Sequence, residues 1–412
     1  MSAAIVDDTT ARASARPLIR GRALVFLALV LSAFTLRSAV TSMSPLFGRI
    51  SSDLNFGPGV IGLLGMVPTL MFAVFGVATP AISRRIGLEW TALAAMIAAT
   101  VGIGLRALAP DVVTLLGVST LALAGLGIGN VVIPPLVKRY FSDRLALMST
   151  VYICFLQLST IVPALTAVPA ADAGGWRFSI GMWSLAAFAA VLPWIGVLLM
   201  RRGTPAEPAA VVSDPHTPIA VWRSSLGWGM ATMFAMTSMI TYAMLTWLPE
   251  LLVEAGAGEQ FAGASVAVFG AMGLLVSFVA PTLCERMRNP YPIVVGCAAF
   301  YLAGFAGLMW SPGTATMLWV VLLGLGPTTF PMSLTLINLR TRTPAGSAAL
   351  SGFTQGVGYT IACAGPLLFG LLHSATGGWG FSLGFLACGV AVLLVGAFAA
   401  CRPRLLEDEP RV

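Results

Sequence analysis

The stretch LVFLALVLSAFTLRSAVTSMSPL, residues 24–46, decides the fold. It carries a single charge, Arg37, and is long enough to cross the hydrocarbon core of a bilayer, which takes about 20 apolar residues. The residues before it are rich in arginine, and no small-residue cleavage site follows it. We therefore expect a membrane span preceded by a cytoplasmic tail, and not a cleaved leader.

The rest of the chain repeats this pattern. The sequence is 58% hydrophobic and 9% charged, whereas a soluble domain is roughly a quarter charged. Apolar runs separated by short polar segments predict eleven further spans, at residues 59–82, 90–109, 112–137, 145–169, 178–200, 226–252, 260–284, 291–310, 314–338, 346–372 and 380–401. The predicted fold is an all-α integral membrane protein with twelve transmembrane helices.

Charge fixes the expected orientation. The net charge is +7, but the basic residues are dispersed singly and in pairs, which favours topology signals over a nucleic-acid face. If both tails lie in the cytoplasm, only Arg49, Arg106 and Arg177 fall on the other side, with Arg37 inside a span. The positive-inside rule therefore predicts cytoplasmic termini and a multi-pass protein of the cell inner membrane.

A polar stretch in the middle divides the spans into two sets of six. The predicted parts are a cytoplasmic tail (1–23), an N-terminal six-helix bundle (24–200), a central cytoplasmic loop (201–224), a C-terminal six-helix bundle (225–401) and a cytoplasmic tail (402–412).

The two bundles resemble each other. Gly-Leu-Gly at 125–127 precedes Pro134 in the fourth span, and Gly-Leu-Gly at 324–326 precedes Pro331 in the tenth. Parallel repeats of this kind imply a pocket between the halves near the middle of the membrane, with one half rocking against the other.

Three segments carry a family resemblance: LRSAVTSMSP at 36–45, GIGNVVIPPLVKR at 127–139 and FPMSLTLINLR at 330–340. With twelve spans and a central loop, the chain resembles the major facilitator superfamily. The three segments are similar to its branch of cyanate permeases and 2-nitroimidazole exporters, the CynX/NimT type. The resemblance implies the major facilitator fold, alternating access and a monomer.

The loops after the second and eighth spans depart from the superfamily pattern. An acid is usual where this chain has Arg84, within Arg84-Arg85-Ile-Gly87, while Glu285-Arg286 in the second half keeps the acid. The resemblance implies a gating role for these residues, but the missing acid argues against a gating salt bridge in the first half.

Arg37 is the leading candidate for substrate contact. It lies roughly 20 Å along a helix that crosses a core of about 30 Å, where an arginine costs at least about 2.5 kcal/mol unless it faces a cavity or partner. All 16 acids fall in tails, loops or span ends, so the missing counter-charge could be a small planar anion. A structural ion pair or snorkelling to the surface remains the alternative.

Other polar groups could line the same pocket. Gln355 and Tyr359 have the i, i+4 spacing that shares a helix face, and Tyr152 and Gln157 fall close to one face of the fifth span. Helix packing or back-bonding would explain each of them equally well. The candidates for substrate contact are Arg37, Thr41, Asn130, Tyr152, Gln157, Tyr242, Gln355 and Tyr359.

The function classes can be narrowed by what the spans lack. A membrane enzyme needs a clustered acid, base or metal site, and the spans supply none, so we expect no enzyme, no metal and no cofactor. We predict a secondary transporter of a small anion or weak acid such as cyanate, with a proton or counter-anion as coupling partner. The alternative is an exporter of neutral or weakly basic heterocycles resembling 2-nitroimidazole.

Overall fold

The computed structural model describes residues 22–200 and 221–408. The expected tail at 1–23, central loop at 201–224 and tail at 402–412 each fall partly outside these residues.

The chain is helical throughout the described part. The first half contains α1 (Ala23–Thr35), α2 (Ser38–Thr41), α3 (Phe47–Leu54), α4 (Pro58–Ile86), α5 (Leu88–Arg106), α6 (Val112–Tyr140), α7 (Leu145–Gly181) and α8 (Trp183–Met200). The second half contains α9 (Ser225–Glu254), α10 (Glu259–Arg286), α11 (Tyr291–Trp310), α12 (Thr316–Leu325), α13 (Thr329–Leu339), α14 (Pro344–Ala362), α15 (Ala364–Thr376) and α16 (Trp379–Ala400).

Within the described ranges, eleven stretches are long and apolar enough to cross a membrane, and one of them contains two crossings. That stretch, Leu147–Met200, has 54 residues, about 80 Å of helix if it were straight. Gly175 breaks it with a φ of 78°, and the Ser179 hydroxyl donates to the Ala167 carbonyl at 2.7 Å. A straight helix would hold these residues about 18 Å apart, so the chain turns back at Gly175 and the predicted fold class is confirmed.

The first crossing is not one helix. It breaks after α1, again after α2, and continues through a short 3₁₀ turn at Ser44–Leu46 into α3, eight residues beyond the predicted end at residue 46. The N–H of Met43 donates to Val40 and leaves the carbonyl of Ala39 without its usual helical partner. The first of the two breaks lies at Arg37, which joins α1 to α2.

Small residues bring neighbouring helices close together. A Cβ added to Gly102 on α5 would lie 2.4 Å from the backbone nitrogen of Ala122 on α6, and one added to Gly125 would meet the carbonyl of Ala95 at 2.5 Å. Such contacts are typical of membrane helices, which gain mostly from close packing.

We call the end of the bundle near Arg22 and Cys401 the tail end, and the opposite end the far end. Among the described crossings, the α9 span is the most enclosed, with 89% of an 18-residue apolar stretch buried. It therefore presents most of its side chains to the other helices and few to the surroundings of the bundle.

Candidate functional site

Arg37 sits at the break in the first crossing and is held there by α7. Its backbone N–H donates to the hydroxyl of Ser159 at 3.1 Å. The hydroxyl of Thr41 lies 3.2 Å from both the Arg37 carbonyl and the Ser159 carbonyl, so its proton is used in packing. Thr41 therefore supports the backbone of the site, which is one of the two roles the sequence left open.

The guanidinium of Arg37 lies between the two halves. Its Nη1 donates to the hydroxyl of Tyr242 on α9. Its Cζ is 5.3 Å from the ring centre of Phe72 on α4 and 5.6 Å from that of Tyr242. Cation–π contacts at this range are attractive, by roughly 2 kcal/mol where water is excluded. The arginine thus joins helices of both halves through rings and one hydroxyl.

Aromatic rings extend from Arg37 into the second half. The Tyr359 ring lies 5.7 Å from Phe72 and 5.0 Å from Phe234, and Phe234 lies 5.1 Å from Phe330. We call Phe72, Phe234, Tyr242, Phe330 and Tyr359 the aromatic cluster. It forms an apolar wall with hydroxyls at Tyr242 and Tyr359.

The other predicted pocket residues are only partly brought together. Tyr152 and Tyr359 lie within electrostatic reach of Arg37. Gln157 instead donates to the Gly270 carbonyl of α10 at 3.1 Å, and Gln355 donates to Ser351 at 2.8 Å on its own helix.

Asn130 lies beside Gly129, whose added Cβ would touch Leu36 at 2.8 Å, so it stands near the level of Arg37. Its side chain makes no hydrogen bond to another described residue. The structure thus gathers Tyr152, Tyr242 and Tyr359 around Arg37, and leaves Asn130 at the same depth.

No described carboxylate forms an ion pair with Arg37. In the described ranges, the acids that form ion pairs lie toward the two ends of the bundle: Asp53, Glu89, Asp143, Asp172, Glu254, Glu259 and Asp408. The structural ion pair that the sequence left open is therefore not formed by a described residue.

The predicted gating residues lie at exposed helix ends. Arg84 and Arg85 end α4, with Gly87 at a φ of 89°, and Glu285 and Arg286 end α10. No ion pair involves them among residues 22–200 and 221–408. Their gating role remains a prediction.

A contact at the far end does bridge the halves. The Nε of Arg49 on α3 donates to Glu259 on α10 at 2.7 Å, and the same guanidinium contacts Asp172 of its own half at 2.8 Å. The sequence did not predict this contact, because Arg49 was interpreted only as evidence for the orientation of the chain in the membrane.

A second far-end cluster joins three helices of the second half. The indole of Trp379 donates to Glu254 at 2.7 Å, and the His373 Nε2 lies 3.2 Å from the same carboxylate oxygen. The rings of His373 and Trp379 stack with centres 3.7 Å apart. The cluster ties the far ends of α9, α15 and α16 together.

Sequence reasoning also missed Phe72, Phe234 and Ser159. Each is an ordinary residue for a membrane helix, and only the packing of α4, α7 and α9 around the first crossing reveals its role. The one available signal was their position near the middle of predicted spans.

Within the described ranges, twelve crossings in two halves, with a cation and aromatic side chains at the contact between them, have the architecture of a two-bundle membrane transporter. Residues 25–364 match the family model of the Major Facilitator Superfamily. The chain belongs to that superfamily.

Relatives support the narrower resemblance. The chain is 30% identical to the 2-nitroimidazole transporter of Escherichia coli (strain K12), over 93% of this chain and 96% of that one. It is 25% identical to the cyanate transport protein CynX of the same organism, over 90% and 95%. The crystal structure of the nucleoside transporter NupG matches with a TM-score of 0.75 over 91% of this chain and 99% of that one, at 11% identity, which concerns the fold alone. The predicted superfamily and branch are confirmed.

Proposed function

We propose that this transporter carries a small anion or weak acid, such as cyanate, across the inner membrane by alternating access, with Arg37 as the residue that contacts the anion. The observation that carries the proposal is a cation between the two halves with rings and hydroxyls, and no described carboxylate, around it. A negatively charged substrate would complete the charge balance at that point.

The bundles at 24–200 and 225–401 rock about this point in the proposed cycle. The tail end faces the cytoplasm with both termini, since most basic residues would lie there. The chain works as a monomer in the lipid bilayer, with a proton or counter-anion balancing charge. The relative named a cyanate transport protein supports an anionic substrate.

The test is uptake into liposomes that contain the purified protein. Labelled cyanate and other small anions are compared with a panel of neutral azoles, using the wild type, Arg37→Ala and Arg37→Lys. The control is Arg342→Gln, because Arg342 is exposed and pairs with Asp408 away from the site.

We expect anion uptake by the wild type and the control, and loss of at least about tenfold in Arg37→Ala, since one charge-assisted hydrogen bond contributes about 1.5 kcal/mol or more. Arg37→Lys keeps the charge but loses the planar guanidinium with its paired N–H donors, and lysine stacks less well on aromatic rings. This variant should therefore recover only part of the uptake. Anion uptake that is unchanged in Arg37→Ala would overturn the proposal.

The aromatic cluster favours a second candidate function, the export of neutral or weakly basic heterocycles. A flat heterocyclic substrate would stack on the rings of Phe72, Tyr242 and Tyr359, which lie next to one another. One relative is named a 2-nitroimidazole transporter. This function predicts azole transport that survives Arg37→Ala and falls in Phe72→Leu. The same liposomes separate the two functions.

A further inference from the structure

The first half contains a fully buried arginine, Arg106, in addition to the partly buried Arg37. The charge pattern predicts Arg106 on the side opposite the termini; it is the last residue of α5 and is only 2% exposed. Its Nε donates to the Ser119 hydroxyl at 2.9 Å and its Nη1 to the Ala39 carbonyl at 2.7 Å. Ala39 is the residue whose carbonyl the break after α2 leaves free, and this tertiary acceptor holds the Arg106 side chain inside the bundle.

These two bonds leave part of the guanidinium without a protein partner. The Nη2 of Arg106 forms no hydrogen bond within the described part of the chain. No ion pair to a described carboxylate neutralises its charge. An uncompensated buried charge is strongly unfavourable, so a polar or charged partner on this side would stabilise the fold.

A small cavity lies beside this arginine. It is lined by Ala39, Ser44, Pro68, Arg106, Leu123 and Thr246. The hydroxyl of Ser44 is buried, with the residue 3% exposed, and has no hydrogen-bond partner among the described residues. Arg106 and Ser44, each with a donor that no described residue uses, therefore line the same space.

The chemistry of the lining selects the kind of ligand. The hydroxyl proton of Thr246 is used on the Tyr242 carbonyl at 2.8 Å, so the free donors of the cavity belong to Arg106 and Ser44. A cavity of about 10 Å³ admits roughly one water-sized particle. Donors without a neutralising acid favour an anion over a cation, and the size favours a single atom.

We propose that this cavity binds a halide ion, held by Arg106 and Ser44, at a site separate from Arg37. Thr246 belongs to α9, so the second half closes the cavity. The ion therefore binds best when α9 lies against the first crossing, and its release accompanies separation of the halves there.

The experiment is a halide titration of the purified full-length protein. Unfolding temperature is measured at constant ionic strength while sodium gluconate is replaced by sodium chloride or bromide. The variants are Ser44→Ala, Arg106→Lys and Arg37→Ala, and the matched control is Ser277→Ala, whose hydroxyl only back-bonds to Gly273 on its own helix.

Halide should raise the unfolding temperature of the wild type, Ser277→Ala and Arg37→Ala alike. In Ser44→Ala the concentration needed for the half-maximal shift should rise about tenfold, since one hydrogen bond to the ion is lost. Ser44→Ala keeps the test open if Arg106→Lys does not fold. Crystals soaked in bromide should show an anomalous peak within hydrogen-bond distance of Arg106 Nη2 and Ser44 Oγ.

Three results would overturn the proposal. The first is no dependence of unfolding temperature on halide, which would mean that the cavity holds water only. The second is a halide shift that is the same in Ser44→Ala as in the wild type. The third is a shift that disappears in Arg37→Ala, which would assign the ion to the central site and not to the cavity.

Discussion

The Tyr242 hydroxyl shows how one polar atom holds a charge in an apolar setting. It accepts from Arg37 on the opposite half, while the Phe72 and Tyr242 rings flank the guanidinium. Tyr242 is 3% exposed, so bulk water does not replace this contact when it is removed. Removing the oxygen leaves a guanidinium N–H without its acceptor, which is costly in a buried place.

We predict that Tyr242→Phe lowers the free energy of unfolding by about 1.5 kcal/mol, because the ring stays and the charge-assisted hydrogen bond goes. Denaturant unfolding in detergent measures the change. Tyr291→Phe is the control, since the Tyr291 ring at the start of α11 has an edge contact with Phe398, 5.7 Å away, and its hydroxyl donates to no described residue. Equal losses in the two variants would contradict the assigned role of the Tyr242 hydroxyl.

At this scale the sequence predicted the central charge but not its surroundings. Arg37 could be found because a charge in a long apolar run is conspicuous, and Tyr242 because it is a polar ring in a span. Phe72 and Ser159 could not be singled out, since their roles come from helices that meet only in the folded chain. The burial of Arg106 could not be predicted for the same reason.

At the scale of the helix, close packing depends on single glycines. Gly102 and Gly104 lie on one helix, α5, but face different neighbours. An added Cβ at Gly102 would lie 2.4 Å from the Ala122 backbone, whereas one at Gly104 would have ordinary contact with Ser184 at 3.6 Å. The pair therefore separates the steric effect from helix propensity.

We predict that Gly102→Ala destabilises the protein by about 2 kcal/mol, because α5 and α6 must move apart. Gly104→Ala should be neutral or stabilising by up to about 1 kcal/mol, since alanine favours the helix. Thermal unfolding of both variants under one set of conditions measures the difference. If Gly104→Ala lost as much stability as Gly102→Ala, the steric explanation would fail.

Most helices could be predicted from apolar runs alone. The span at 291–310 coincides with α11, and 112–137 falls inside α6. The breaks within the first crossing could not be predicted, because they depend on hydrogen bonds from Arg37 and Thr41 to α7. The end at residue 46 was placed too early because Arg49 and Asp53 in the last turns resemble a loop in sequence.

At the scale of the molecule, polar contacts between the halves lie at the centre and at the far end. Arg37 contacts Tyr242 in the middle, and Arg49 contacts Glu259 at the far end. The described structure is thus closed at the far end. A partly exposed ion pair such as this one contributes on the order of 1 kcal/mol, so it can bias an equilibrium between two arrangements without locking either.

We predict that Glu259→Gln shifts the population toward a form that is open at the far end, by up to about fivefold. Spin labels at Ser52→Cys and Ala375→Cys, both exposed positions near the far end, report the change as longer distances in pulsed electron resonance. The six native cysteines are first replaced.

Asp172→Asn is the control, because Asp172 contacts Arg49 from the same half. A larger shift in Asp172→Asn than in Glu259→Gln would contradict a cross-half role for the ion pair.

The stack of His373 on Trp379 gives the protein a built-in optical reporter. An indole that stacks on an imidazole at 3.7 Å and donates to the Glu254 carboxylate has different excited-state decay from one in lipid or water. Ultraviolet emission from Trp379 should therefore change in lifetime when α9, α15 and α16 separate at the far end. With the other nine of the ten tryptophans replaced by phenylalanine, the turnover of a single molecule could be followed by light without any attached dye.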